Sequence, residues 1–414
     1  MADMREVIVT HHISAPGLLR RLKRTLFDAA AFGACGIALA LSFLRPLRKL
    51  VRRGRTFSLW AGTPIVNMST NAKAEQLLGG ESRTLVYETY FLTSAFDFDL
   101  SRWSRIPVFG RLLPLAVFIW ACVVADRLHF FCDRGLLPSR GWLTFDFREL
   151  HVYRMLGIPV FLWTYGADVR SRGACRSMGE PNCCTHCDAP GRYCVCDDQL
   201  ATRNHAKLKQ LSTAIFAGVG DMFVYTPGSI DDTFFWPVDL DADGGGRYAP
   251  RYPRGDGTQP LRIVHSSNHR MFKGTDYLVK AVDVLKQEGL DIDLALVERV
   301  PNREALEIYR SADVIFDQCL LGGFGYFALE GMALGKPVMC FIRHAERYLL
   351  RPEECPVINT HISTLADDLR RVYHERATLP EIGRRGRSYV ERHFSLAAFA
   401  GRLGRAYREL GVRA

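Results

Sequence analysis

The chain has 414 residues, 48% of them hydrophobic and 24% charged, with a formal net charge of +10. That length exceeds what one hydrophobic core serves, so two domains are expected. The composition is that of a globular protein and excludes a chain built on a fixed repeat or a long low-complexity tract.

The charge is uneven. Residues 1–60 hold eleven Lys/Arg, among them Arg20, Arg21, Lys23, Arg24, Arg45, Arg48, Lys49, Arg52 and Arg53, against three acids, Asp3, Glu6 and Asp28. Such a face suits nucleic acid, anionic lipid or a phosphorylated substrate, or is a plain solvated surface. Inside it, residues 29–44 run for sixteen positions without a charge. A spanning helix needs ~20, and cations flank both ends, so no side wins the positive-inside comparison. Two readings stand. The helix lies in the surface of an anionic membrane with its arginines on the headgroups, or it is a domain helix whose Ala and Gly allow close packing. No small-residue cleavage site precedes Arg45, so a signal peptide is not expected. A cytoplasmic protein, peripheral to the membrane, follows. Residues 1–55 are set apart as a basic, apolar helical segment.

From residue 56 the chain alternates short β-like runs (56–61, 83–88, 128–131, 159–164) with helical ones (71–78, 113–125, 147–155). This pattern predicts a parallel sheet covered on both faces. A helix over 203–217 and a strand over 222–225 complete an N-terminal domain, 56–240. Its turns after strands offer Gly62, and Asp168 with Arg170. At a strand's carboxyl end these can face an acceptor or a phosphate, or simply cap and pair locally.

Twelve cysteines are present, six of them between Cys175 and Cys196. With no export signal, metal binding is a better default than disulfides. Cys184, Cys187, Cys194 and Cys196 form C-x2-C-x6-C-x-C, a spacing able to close a tetrahedral thiolate site for structural zinc. Disulfides, free thiols and an iron–sulfur cluster are the alternatives.

Residues 241–260, rich in Gly and Pro, read as a linker. A second alternating unit occupies 261–414, with strands at 261–265, 292–297, 313–316 and 337–341 and a helical, Arg-rich end. Arg270 and Lys273 fall between a strand and a helix start, where exposed N–H groups and two cations suit a diphosphate. Gly322, Gly323 and Gly325 free the backbone at another helix start. Glu330, about one and a half turns further on, is placed to accept ribose hydroxyls.

These residues carry a resemblance. Arg270-x-x-Lys273-Gly274, Gly323-Phe324-Gly325 and Glu330-Gly331-Met332-Ala333-x-Gly335-x-Pro337-Val338 resemble the donor half of family-four-type retaining glycosyltransferases, in a bacterial subgroup with Asp-Gln upstream of the glycine loop. The resemblance implies the GT-B fold, two Rossmann-like domains facing across a cleft. It implies a nucleoside-diphosphate sugar as donor, with Arg270 and Lys273 on the diphosphate and Glu330 on ribose. The family has a further glutamate where this chain has Gly322. Asp317 and Gln318 are the polar residues on hand to take its place at the sugar.

The expected function is therefore retaining transfer of a hexosyl unit to an envelope glycan or lipid-linked acceptor. The competing expectation is a non-catalytic GT-B scaffold at the membrane surface. A nucleic-acid partner is not expected.

Overall fold

The computed structural model describes residues 17–47, 52, 54–89, 95–139, 141, 143–218, 220–230, 236–267 and 269–413, with only the backbone for 17–23. The side chains of Arg20, Arg21 and Lys23, and all of Arg48, Lys49 and Arg53, lie outside the described residues.

The alternating pattern becomes two parallel sheets. Six strands, β1 (Phe57–Ala61), β2 (Glu81–Val86), β3 (Phe98–Asp99), β4 (Arg127–Phe131), β5 (Val160–Trp163) and β6 (Ala214–Phe216), form the first sheet. Five more, β7 (Leu261–Ser266), β8 (Ile292–Val297), β9 (Val314–Phe316), β10 (Val338–Cys340) and β11 (Ile358–Asn359), form the second. Their orders are β3-β2-β1-β4-β5-β6 and β11-β10-β9-β7-β8. The order reverses beside β1 and beside β7, the switch points where such sheets bind ligands outside their carboxyl ends. β1, β4 and β5 are buried along their whole length, as strands covered on both faces must be.

One stretch differs from expectation. The helix expected over 203–217 ends at Leu211, and its last residues, Ala214–Phe216, form β6. The expected strand at 222–225 is one helical turn, Met222–Tyr225. A short apolar run carries no period of its own, so edge pairing with β5 decided the outcome.

The helix of the N-terminal segment packs against helices of the first domain. Ala31, Ala34 and Ala38 on helix Gly17–Ala40 are buried in the same core cluster as Phe118 and Ala121 of helix Phe109–Val124. Arg45 Nη1 donates to the Cys122 carbonyl at 2.5 Å, and Arg148 pairs with Asp28 at 3.0 Å. The opposite face leaves Leu26, Phe32 and Ile37 exposed, with Phe43 and Leu47 beyond.

The chain also crosses back at its end. Helix Leu396–Glu409 sets Phe399, Leu403, Ala406 and Tyr407 into a cluster with Trp60, Phe161 and Trp163 of the first sheet. Tyr407 OH donates to Glu75 Oε1 at 2.7 Å. Glu75 also accepts from Ser58, Ser82 and the Trp60 indole, and His129 and Arg127 hold its carboxyl well below the usual range against the cost of burial. The last helix thus ties the second half of the chain to the first.

Candidate functional site

Gly274 closes the short helix Arg270–Lys273 in the left-handed region, φ 74°, and starts helix Thr275–Gln287. A Cβ there would meet Cys319 Sγ at 2.4 Å, so only glycine lets this turn approach the loop after β9. Lys273 is turned onto that loop. Its Nζ lies 2.6 Å from Asp317 Oδ1 and 5.3 Å from the Phe327 ring centroid. Asp317 is wholly buried, and its other oxygen accepts the Gly325 N–H at the start of helix Tyr326–Ala333. Arg270 faces outward, half exposed, with both arms on Glu298 at 2.6 and 3.3 Å.

Glu330 is buried, and burial raises its carboxyl above the ordinary value. Asn302 Nδ2 at 2.9 Å and Tyr248 OH at 3.2 Å both donate to Oε1. No hydrogen bond among the described residues uses Oε2, which leaves that oxygen for a hydroxyl pair. Lys273 also acts on this carboxylate electrostatically. Lys273, the glycine loop and Glu330 therefore lie together at one sheet edge, with Arg270 at its rim.

Asp317 and Gln318 do something other than expected. An amide offers two donors and two acceptor lone pairs. Gln318 Nε2 donates to the carbonyls of Gly323 and Phe341, both at 2.8 Å. Its Oε1 accepts from Leu320 and Leu321 at 2.7 and 2.6 Å. Its capacity is spent on holding the loop, and Asp317 is spent on Lys273 and Gly325. Both shape the site from beneath it rather than facing a sugar. Gly322 sits at φ 79°, and a Cβ there would meet Arg343 Nε at 3.0 Å. The position where the resemblance calls for an acid is thus crossed by an arginine.

On the N-terminal side, Gly62 (φ 101°) packs against the Arg134 carbonyl, which a Cβ would meet at 2.5 Å. Asp133, after β4, collects its neighbours: Thr63 Oγ1 at 2.7 Å and Tyr165 OH at 3.1 Å both donate to Oδ2. Asp168 accepts from the N–H groups of Tyr165, Gly166 and Cys132, so it organises the turn after β5. Burial, then Asp133, pushes its carboxyl up to about 8. Arg170 does not join it but turns into the cysteine-rich loop, Nη1 3.8 Å from Cys194 Sγ.

Of the four expected metal ligands, only Cys184 belongs to the converging group, which is Cys175, Cys183 and Cys184. Cys196 Sγ instead accepts the Gly191 N–H at 3.1 Å. Asn302, Tyr248, Glu298, Asp133 and Arg343 were not foreseen. Glu298, next to the carboxyl end of β8, had a positional signal. Tyr248 had none, since it lies in a segment without apolar period.

No family profile matches the sequence, and no curated protein matches it. Solved structures do match. A sucrose-phosphate synthase from Thermosynechococcus elongatus superposes with a TM-score of 0.56 at 14% identity, over 86% of this chain and 99% of that one. An alpha-glucosyltransferase in complex with UDP and a 13-mer DNA containing an HMU base gives 0.52 at 10% identity, over 86% and 100%. The same type of enzyme with UDP-glucose and DNA containing an abasic site gives 0.51 at 11%, over 86% and 99%. Together with the two parallel sheets, these likenesses establish the GT-B fold.

Proposed function

We propose that this protein is a retaining glycosyltransferase that moves a hexosyl unit from a nucleoside-diphosphate sugar to an envelope glycan or lipid-linked acceptor. The observation that carries the reading is the meeting of Lys273, the Gly325 N–H and Glu330 around one sheet edge, with Arg270 at its rim. Exposed ion pairs contribute only ~0.2–1 kcal/mol. Arg270 can therefore exchange Glu298 for a diphosphate at small cost. Lys273 stays on its buried partner and offers its remaining N–H donors. Two cations placed where the leaving diphosphate gains charge stabilise the transition state electrostatically. Glu330 Oε2 takes a ribose hydroxyl.

The lipid-linked acceptor and a peripheral membrane site draw support from the exposed apolar face. Leu26, Phe32, Ile37, Phe43 and Leu47 stand exposed on one arm, and Trp103, Ile106, Phe109 and Leu112 on the other. No acid occurs between Asp28 and Glu75 or between Asp99 and Asp126, whereas Arg102, Arg105 and Arg111 are exposed in the second interval and Arg24 just before the first. Apolar side chains flanked mainly by cations, with the one acid among them, Asp28, paired to Arg148, suit an anionic bilayer surface.

The fold neighbour bound to UDP makes uridine diphosphate the first nucleotide to test. Nucleoside diphosphates are screened for thermal stabilisation, since a ligand bound only by the native state raises its stability. The hit is titrated by calorimetry against Glu330→Ala. Loss of binding in a folded variant is expected, and unchanged affinity would overturn the site. The scaffold reading is favoured by one observation, Arg343 lying against Gly322. It wins if a bound nucleotide sugar is neither transferred nor hydrolysed while anionic vesicles are still bound.

A further inference from the structure

The loop from helix Arg172–Ser177 to Asp197 is not explained by the donor site. The sulfurs of Cys175, Cys183 and Cys184 all lie within 4.8 Å of one another, and all three residues are buried. Cys175 Sγ and Cys183 Sγ are 3.7 Å apart. Tetrahedral zinc with Zn–S bonds of ~2.3 Å holds its sulfurs ~3.8 Å apart. Three converging thiols are also one too many for a disulfide.

Arg170 is a second, independent observation. It is nine-tenths buried, its Nε has no hydrogen-bond partner, and no carboxylate pairs with it among the described residues. Cys194 Sγ lies 3.8 Å from its Nη1 and the Tyr225 ring centroid 5.9 Å from its guanidinium, while Asp221 acts on it from beyond ion-pair reach. A buried guanidinium with no anion in contact is costly. Three thiolates on one divalent cation carry a net charge of −1, which would add to Asp221 as a counter-charge for Arg170.

We propose that Cys175, Cys183 and Cys184 bind one zinc ion as thiolates, and that this ion braces the loop against the C-terminal domain. Binding releases three thiol protons to solvent, forms three Zn–S bonds and transfers no electron; a fourth position is kept for one further ligand. The brace is visible in what the loop touches. Arg343, after β10, donates to the carbonyls of Met178, Gly179 and Pro181 at 3.1, 3.2 and 2.6 Å. His186 Nδ1 meets Tyr277 OH at 2.9 Å. Tyr193 lies on His269, ring centroids 4.5 Å apart, directly beside Arg270. The metal thus holds three cross-domain contacts, two of which flank the donor cations.

The test uses the full chain purified without chelator. Metal analysis should find about one zinc per chain. Cys183→Ser/Cys184→Ser should lose it, and Cys187→Ser/Cys196→Ser should keep it. Cobalt exchanged into the wild type should show thiolate-to-metal charge-transfer absorption. Should the first double variant fail to fold, wild-type protein stripped by chelator and reloaded with zinc alone carries the test. Amide exchange across 178–193 and 269–273 should quicken on stripping and recover on reloading. A wild type that takes up no zinc overturns the proposal. So does zinc retained in Cys183→Ser/Cys184→Ser, or exchange indifferent to the metal. No nucleotide enters these measurements, so their failure is distinct from failure of the donor reading.

Discussion

Lys273 Nζ stands 2.6 Å from Asp317 Oδ1, a carboxylate with no solvent exposure, whereas Arg270, one turn earlier, spends its guanidinium on the solvent-facing Glu298. The two cations assigned to one diphosphate therefore differ in what else they do. Removing one member of a buried pair costs ~3–5 kcal/mol because it strands the other charge, while an exposed pair is worth ~0.2–1 kcal/mol. Lys273→Ala should lose several kcal/mol in urea denaturation and Arg270→Ala less than about 1 kcal/mol. Both should lose nucleotide affinity by calorimetry. Lys273→Met with Asp317→Asn should recover stability but not affinity. Equal destabilisation by the two single variants would contradict this division.

Gln318 makes a sharper case for a residue that serves the site without touching substrate. All four of its hydrogen-bonding positions go to the backbone of the loops after β9 and β10. A glutamate has the same shape but no donors when ionised. Gln318→Glu sets a carboxylate against the carbonyls of Gly323 and Phe341, each stranded group costing ~1–3 kcal/mol. Thermal unfolding should shift down, and amide exchange in 319–325 should rise before global unfolding. Protection equal to wild type in that segment would show that the loop is held by something else.

Gly322 invites an experiment in the opposite direction. Restoring the glutamate of the resembling family, Gly322→Glu, looks like a repair in sequence. In the fold it is not, because the backbone sits at φ 79° and Arg343 occupies the space. A non-glycine residue held there costs ~1–3 kcal/mol. Displacing Arg343 would also release the carbonyls of Met178, Gly179 and Pro181. The variant should be less stable and no more active with nucleotide sugar. A gain in transfer rate would mean that Arg343 moves aside to admit the acid.

What the sequence disclosed follows from which signals are local. β7, β9, the glycine loop and Glu330 were legible because turn chemistry and strand–helix alternation act over a few residues. Glu330's partners were not, since Tyr248 comes from the expected linker and Asn302 from a separate helix. The roles of Asp317 and Gln318 were misplaced for the same reason. Polar residues beside a glycine loop read as ligands until burial and saturation are seen. The cysteines show the limit most plainly: spacing favoured Cys184, Cys187, Cys194 and Cys196, but the fold of the loop brings in Cys175 from the preceding helix. The return of Leu396–Glu409 to the first domain leaves no mark in its own amphipathic period, because either domain would bury that face.

Glu149 gives the protein a pH dependence whose sign can be worked out. It is fully buried and accepts from the N–H groups of Leu136 and Leu137 and from Tyr153 OH. Burial outweighs these bonds and pushes its carboxyl up to about 8. A carboxyl whose pKa rises on folding stabilises the native state fully below its unfolded value of ~4.3, and that contribution is lost as pH rises towards the folded value. Asp168, also raised to about 8, acts in the same direction. His265 runs the other way. It is buried neutral and lowered to about 4, so its contribution is present above ~6.5 and fades as pH falls. Between pH 6 and pH 8 the carboxyls govern, and stability should fall as pH rises. Glu149→Gln keeps the shape and removes the titration, so its stability should fall less over the same range. Urea denaturation of both proteins at pH 6, 7 and 8 reads the difference. Parallel curves would mean that Glu149 is already ionised in the native protein at pH 6.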